Sequence, residues 1–146
     1  MRQFTIALFV GYSFMLFACN REDNNLPRYN LFKTNEKIVV DGNLNESSWQ
    51  KADLIPFKLN DTGGSIDNPA LLTIGKGCYD NENMYFAFQC NDPDIWCNYT
   101  QRDEYLWNEE VVELFIDTDD NPENYIEIEI SPSNVLFDSF IVNPQK

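Results

Sequence analysis

Three glutamates recur in the stretch "YLWNEEVVELFIDTDDNPENYIEIEI", residues 105–130: Glu113, Glu127 and Glu129, with Trp107 six residues before the first. Two runs of alternating apolar residues flank a turn-rich spacer, the pattern of a β-hairpin. Val112, Leu114 and Ile116 fall on one face of the first strand, and Ile126, Ile128 and Ile130 on one face of the second. The other face then carries the three glutamates beside Phe115 and Tyr125. Like charges side by side on a sheet are destabilising. Such a face either meets a ligand or a cation, or is a solvated surface with lysine and arginine partners. Trp107 is correspondingly either a platform for that ligand or a core residue. The spacer Asp117-Thr118-Asp119-Asp120-Asn121 repeats the D-x-D-x-N alternation of calcium loops, so Asp117, Asp119 and Asn121 are candidate metal ligands. It lacks the glycine and closing glutamate of such loops, and an ordinary acidic turn is the alternative.

The composition narrows these choices. The 146 residues hold 10 Lys and Arg, 24 Asp and Glu, and no histidine. That balance speaks against nucleic acid or an anionic lipid surface as partner, and suits a neutral ligand or a bound cation. The absence of histidine removes the commonest general base and zinc ligand. Residues 1–18 read as an export signal, with Arg2 before an apolar run from Phe4 to Ala18 that is too short for a comfortable membrane span. Leu16-Phe17-Ala18-Cys19 resembles the bacterial lipoprotein box, which implies cleavage before Cys19 and lipidation there. Residues 19–30 are then a polar tether, and 31–146 form one domain in a lipid-anchored protein of a bacterial envelope, at the outer membrane or cell surface; ordinary cleavage and secretion, or an uncleaved anchor, is the alternative. Of the remaining cysteines, Cys78 sits opposite Tyr85 if the chain turns at residues 80–83. That is too far from Cys90 for a bridge. Cys90 with Cys97 stays possible, and half-buried thiols are the expectation.

The elements that must position these residues are short. "KIVVDGNLNESSWQKADLIPF" reads as a strand, an Asp41-Gly42 turn and a brief helix with Asn45 as N-cap and Trp49 and Ala52 on its buried side. "NPALLTIGKGCYD" and "NMYFAFQCND" pair as a hairpin, and "IWCNYTQRDEYLW" is a loop or short helix. "NVLFDSFIVN" is a last strand. Trp96 is either a lid over the core edge, the preferred reading, or a second aromatic platform. Short strands with Gly, Asn, Asp and Pro clusters between them, and no long helical period, predict an all-β antiparallel sandwich or barrel.

"IVVDGNLNESSWQKA", "YDNENMYFAFQCNDPDI" and "RDEYLWNEEVVELFIDTDDNPENYIEIEISPSNVLFD" resemble, in order and spacing, carbohydrate-binding module family 9-like domains found with xylanases and on bacterial surface proteins. The resemblance covers about Ile38 to Asp138 and implies a jelly-roll-like β-sandwich, here short of the family's closing C-terminal strands. It implies that Trp107 is one wall of a sugar-stacking clamp and that Glu113 accepts hydrogen bonds from sugar hydroxyls. Further polar contacts would come from Glu127, Glu129 and Asn134, and members of the family hold structural calcium. Pyranose C–H groups stack on aromatic faces and their hydroxyls suit carboxylate acceptors, which a face with Trp107, Tyr125 and Phe115 offers. The expected function is therefore non-catalytic binding of oligo- or polysaccharide, of xylan or cellulose type, in carbohydrate catabolism. The alternatives are a piece of a glycoside hydrolase, with Glu113 and Glu127 or Glu129 as acid and base, or a surface module without sugar binding.

Overall fold

The computed structural model describes residues 2–8, as a strand, and residues 27–58, 66–120 and 123–142. They are mostly strand, in two sheets with almost no helix, as the all-β, sandwich-like expectation requires. The chain divides into two compact units, Met1–Asn91 and Asp92–Lys146, and each holds one sheet.

The first unit is built on the predicted hairpin of β4 (Thr73–Tyr79) and β5 (Met84–Cys90), in which Cys78 lies opposite Tyr85 as the spacing predicts. Asp80 makes the turn. Its Oδ1 accepts the N–H groups of Glu82 and Asn83, and its Oδ2 accepts the Tyr85 hydroxyl at 2.8 Å. These bonds hold the Asp80 carboxyl below the usual carboxylate range. Two short strands, β2 (Phe32–Lys33) and β3 (Ile55–Pro56), flank β4, the first parallel and the second antiparallel. Arg2–Leu8, within the segment read as an export signal, runs antiparallel to β5 as β1. A leader that is cleaved takes this strand with it and leaves β5 an edge.

Trp49 is fully buried and anchors a core of Ile38, Cys78, Tyr85 and Ala87, with Phe32 and Leu44 packed against it. It sits on the short helix α1 (Ser47–Lys51), whose start differs from expectation. Glu46, not Asn45, is the N-cap, and its side chain makes no capping bond. The exposed N–H groups are satisfied instead from 11 and 12 residues upstream. The Glu36 carboxylate accepts the N–H groups of Ser47 and Ser48 and both their hydroxyls. The Ser48 bonds first, and then those of Ser47, hold the Glu36 carboxyl down to about 2. The strand expected at Ile38–Val40 does not form. Only Ile38 is buried there, while the Val39 N–H goes to the Glu46 carboxylate. Local alternation suggested a strand, but the backbone found a side-chain acceptor in place of a neighbouring strand.

The second unit holds a three-stranded antiparallel sheet, β6 (Val112–Ile116), β7 (Asn124–Ile130) and β8 (Leu136–Val142), in the order β6-β7-β8. The apolar stripes pair as their periodicity requires: Val112 with Ile130, Leu114 with Ile128, and Ile116 with Ile126. Asn134 has φ 63° in the turn from β7 to β8, where the Ser131 N–H reaches the Val135 carbonyl at 3.0 Å. Asparagine tolerates this left-handed conformation better than most residues.

Candidate functional site

Register alone places the three glutamates together. Glu113 lies directly opposite Glu129, which lies opposite Phe137, so one row of the face reads carboxyl, carboxyl, aromatic ring. The next row reads Phe115, Glu127, Ser139, and the following one pairs Tyr125 with Ile141. Trp107 enters from a single 3₁₀ turn, Leu106–Asn108. Leu106 is fully buried and pegs the turn, and the Glu109 N–H closes it on the Leu106 carbonyl at 2.9 Å. With Leu106 inside, its neighbour stands out: Trp107 is 48% exposed. Its ring meets Phe137 edge-on at 5.2 Å and lies tilted against Tyr105 at 5.0 Å. Trp107 is therefore half-exposed rather than a buried core residue.

Glu129 is the unusual member of the cluster. It is 1% exposed, and its Oε2 has no hydrogen-bond partner among the described residues. Burial, and then the charges of Glu113 and Glu127, push its carboxyl up to about 7. Glu127 also shares a hydrogen bond with it, and the Trp107 backbone N–H opposes the rise. A hydrogen bond between two carboxyl groups needs a proton, which is the state that burial favours on Glu129. Burial, and then Glu127, raise Glu113 as well. The sequence alone offered no sign of a carboxyl poised this way. The crowding of the glutamates follows from the hairpin pattern, but the burial that chiefly raises Glu129 shows only in the folded sheet.

Other acids of the unit accept backbone N–H groups. Glu109 accepts the Asn98 backbone N–H at 2.6 Å, the Asn98 side-chain amide and the Tyr99 N–H. The Asn98 backbone bond chiefly holds its carboxyl low. Glu104 takes the N–H groups of Thr100 and Gln101, and Glu110 that of Trp96. These carboxylates organise loops. Glu113 and Glu127 organise nothing of the kind, and Arg102, the one basic residue of positions 92–142, pairs with Asp138 and Asp103. Asp138 is aligned with Ile128, on the other side of the sheet from the glutamates.

The remaining sequence candidates divide. Asn134 stands at the Trp107 end of the sheet, in the turn beside the Glu129–Phe137 pair. Tyr125 does not: it packs on Phe115 at 5.7 Å, four residues along β7 from Glu129, or about 13 Å at the strand rise. It extends the aromatic lining without joining Trp107 in a clamp. Trp96, expected as a lid over the core edge, is 48% exposed, and its backbone N–H is held by the Glu110 carboxylate. The Asp117 carboxylate accepts the Asp119 N–H at 3.1 Å, as an Asx turn does, while Asn121 lies outside the described residues. No group of three possible metal ligands occurs among the described residues. Cys19 also lies outside them. Cys78 is buried, and Cys97 Sγ lies 2.7 Å from the Ser133 hydroxyl. Among the described residues no helix is long and apolar enough to cross a membrane.

No solved structure matches the chain. It is similar to a protein of Arthroderma benhamiae called "Extracellular protein", with 33% identity over 72 residues, 47% of this chain. That alignment spans 32% of the curated relative, about a third of its length. The family model of the "Carbohydrate family 9 binding domain-like" family matches residues 40–142, which include all of β6, β7 and β8 and the Trp107 turn. The chain belongs to that family of carbohydrate-binding domains.

Proposed function

We infer that this protein binds an oligo- or polysaccharide, without cleaving it, on the face of β6, β7 and β8 beside Trp107. The observation that carries the reading is a half-exposed tryptophan held next to the Glu113–Glu129 row by a buried leucine. An indole placed this way stacks on a pyranose ring while neighbouring carboxylates accept its hydroxyls. Glu113 is the first acceptor and Glu127 the second, with Asn134 at the rim. In this reading the chain is displayed at a bacterial outer membrane by lipid at Cys19, and it retains glycans for catabolism by other enzymes. Cys19→Ser should then release the protein from membranes or leave the precursor uncut.

Hydrolysis is the second reading, and the raised carboxyls of Glu113 and Glu129 favour it. Against it, Glu129 is closed off beneath the Trp107 backbone and cannot reach a glycosidic oxygen. Titration with xylo- and cello-oligosaccharides, with product analysis and thermal melts alongside, tests both. Trp107→Ala should abolish binding while costing well under the about 3–5 kcal/mol of a fully buried tryptophan. Glu113→Gln should weaken binding without unfolding the sheet. A folded Trp107→Ala protein that binds normally removes the site, and sugar release by wild type lost in Glu113→Gln replaces binding with hydrolysis.

A further inference from the structure

The acidic residues are not spread evenly along the chain. Residues 92–146 carry 14 Asp and Glu against 2 Lys and Arg, a net charge of −12, while residues 1–91 carry 10 against 8, a net charge of −2. Nearly all of the net negative charge therefore lies in the unit with the aromatic and carboxylate face. Within that unit Glu104, Glu109 and Glu110 are occupied by backbone N–H groups and Arg102 by Asp138, as described above. The three glutamates of the face have no cationic partner among residues 92–142. A neutral sugar needs hydroxyl acceptors, but it gains little from neighbouring, mutually repelling carboxylates. Amide or hydroxyl side chains would serve it without the repulsion. The buried Glu129, with one oxygen unpartnered, lies beside Glu113 and Glu127 on the same face and holds its proton below about pH 7, so the negative charge at that spot is that of Glu113 and Glu127. Trp107, Tyr105 and Phe137 line the same end, and aromatic faces attract cations as well as C–H groups.

We propose that this face selects a cationic saccharide, one whose sugar rings carry free ammonium groups, over neutral or N-acylated sugars. The ring stacks on Trp107 and the ammonium group sits between Glu113 and Glu127, with Glu129 beside them. The proposal rests on the sugar-binding reading of the same face and adds the charge of the ligand to it. It also explains why the face keeps carboxylates where amides would accept the same hydroxyls.

The test is calorimetric titration of the folded protein at pH 6, where sugar ammonium groups keep their protons. The probes are glucosamine oligomers, their N-acetylated counterparts, cello-oligosaccharides and the non-sugar polyamine spermine. Glucosamine oligomers should bind at least tenfold more tightly than either neutral series. The preference should fall steeply between 0.05 and 0.5 M salt, since screening shortens the reach of charge but not of stacking. Glu113→Gln and Glu127→Gln should each weaken binding of the glucosamine oligomers by a larger factor than binding of the neutral series, so that the preference erodes. Equal, salt-insensitive binding of all the sugars overturns the charge selectivity and leaves sugar binding standing. Spermine binding as tightly as the glucosamine oligomers overturns it too, by reducing the face to a general cation patch. Binding of no sugar at all overturns the selectivity together with the reading beneath it.

Discussion

Glu129→Gln should stabilise the protein at neutral and alkaline pH and leave it nearly unchanged in mild acid. The carboxyl is pushed from its ordinary 4.5 up to about 7 by burial, Glu113 and Glu127. The folded protein therefore holds this proton more tightly than the unfolded chain does. Between about pH 4.5 and 7 the native state binds more protons, so stability falls as pH rises through that window and stays low above it. A shift of that size is worth about 3 kcal/mol, at about 1.4 kcal/mol per pH unit. For a domain of this length that is roughly 10 °C in Tm. Glutamine keeps the shape, an acceptor for the Trp107 N–H and a donor toward Glu127, so the substitution removes the titration and little else. The assay is urea unfolding at pH 5 and pH 8, followed by tryptophan fluorescence and circular dichroism. Wild type should lose most of the expected energy between the two, with a smaller share from Glu113, which is raised in the same direction. The variant should lose much less. A wild type equally stable at both pH values, or a variant with the same loss as wild type, would refute the reasoning.

Three further outcomes check the rest of the fold. Glu36→Gln should lower Tm at pH 7 by weakening the acceptor of the α1 N–H groups; because the Glu36 carboxyl sits at about 2, its contribution is complete above pH 4.5 and fades as pH falls toward 2, so the gap between variant and wild-type melts should narrow there. Gly77→Ala should cost about 1–3 kcal/mol in chemical denaturation, since an added methyl group would run into the Leu31 side chain and touch the Phe86 ring. Cys78, buried in the first unit with its thiol pushed up to about 11 by burial, should resist alkylation in the native protein, while Cys97 reacts; mass spectrometry of iodoacetamide-treated protein distinguishes the two.

Local pattern determined much of this protein. Period-two alternation in residues 112–116 and 126–130 was enough to define the hairpin and assign its faces, because a one-residue slip would turn every apolar side chain to the wrong side. The Asp80 turn and the Cys78–Tyr85 register were legible for the same reason, and so was Trp49 as core. Trp107 was visible as a candidate, but its exposure was not: that depends on Leu106 taking the buried position beside it. The helix cap was misread because its acceptor, Glu36, lies outside the helix sequence, and a carboxylate at a distance can satisfy N–H groups that a local residue leaves open. Tyr125 was grouped with Trp107 by face, yet the hairpin separates them along the strand. The state of Glu129 lay furthest from the sequence. Its raised carboxyl arises from burial and from two neighbours, one on the same strand and one across the sheet, and a proton's affinity is set by the field of groups brought together in space rather than by the residue that carries it.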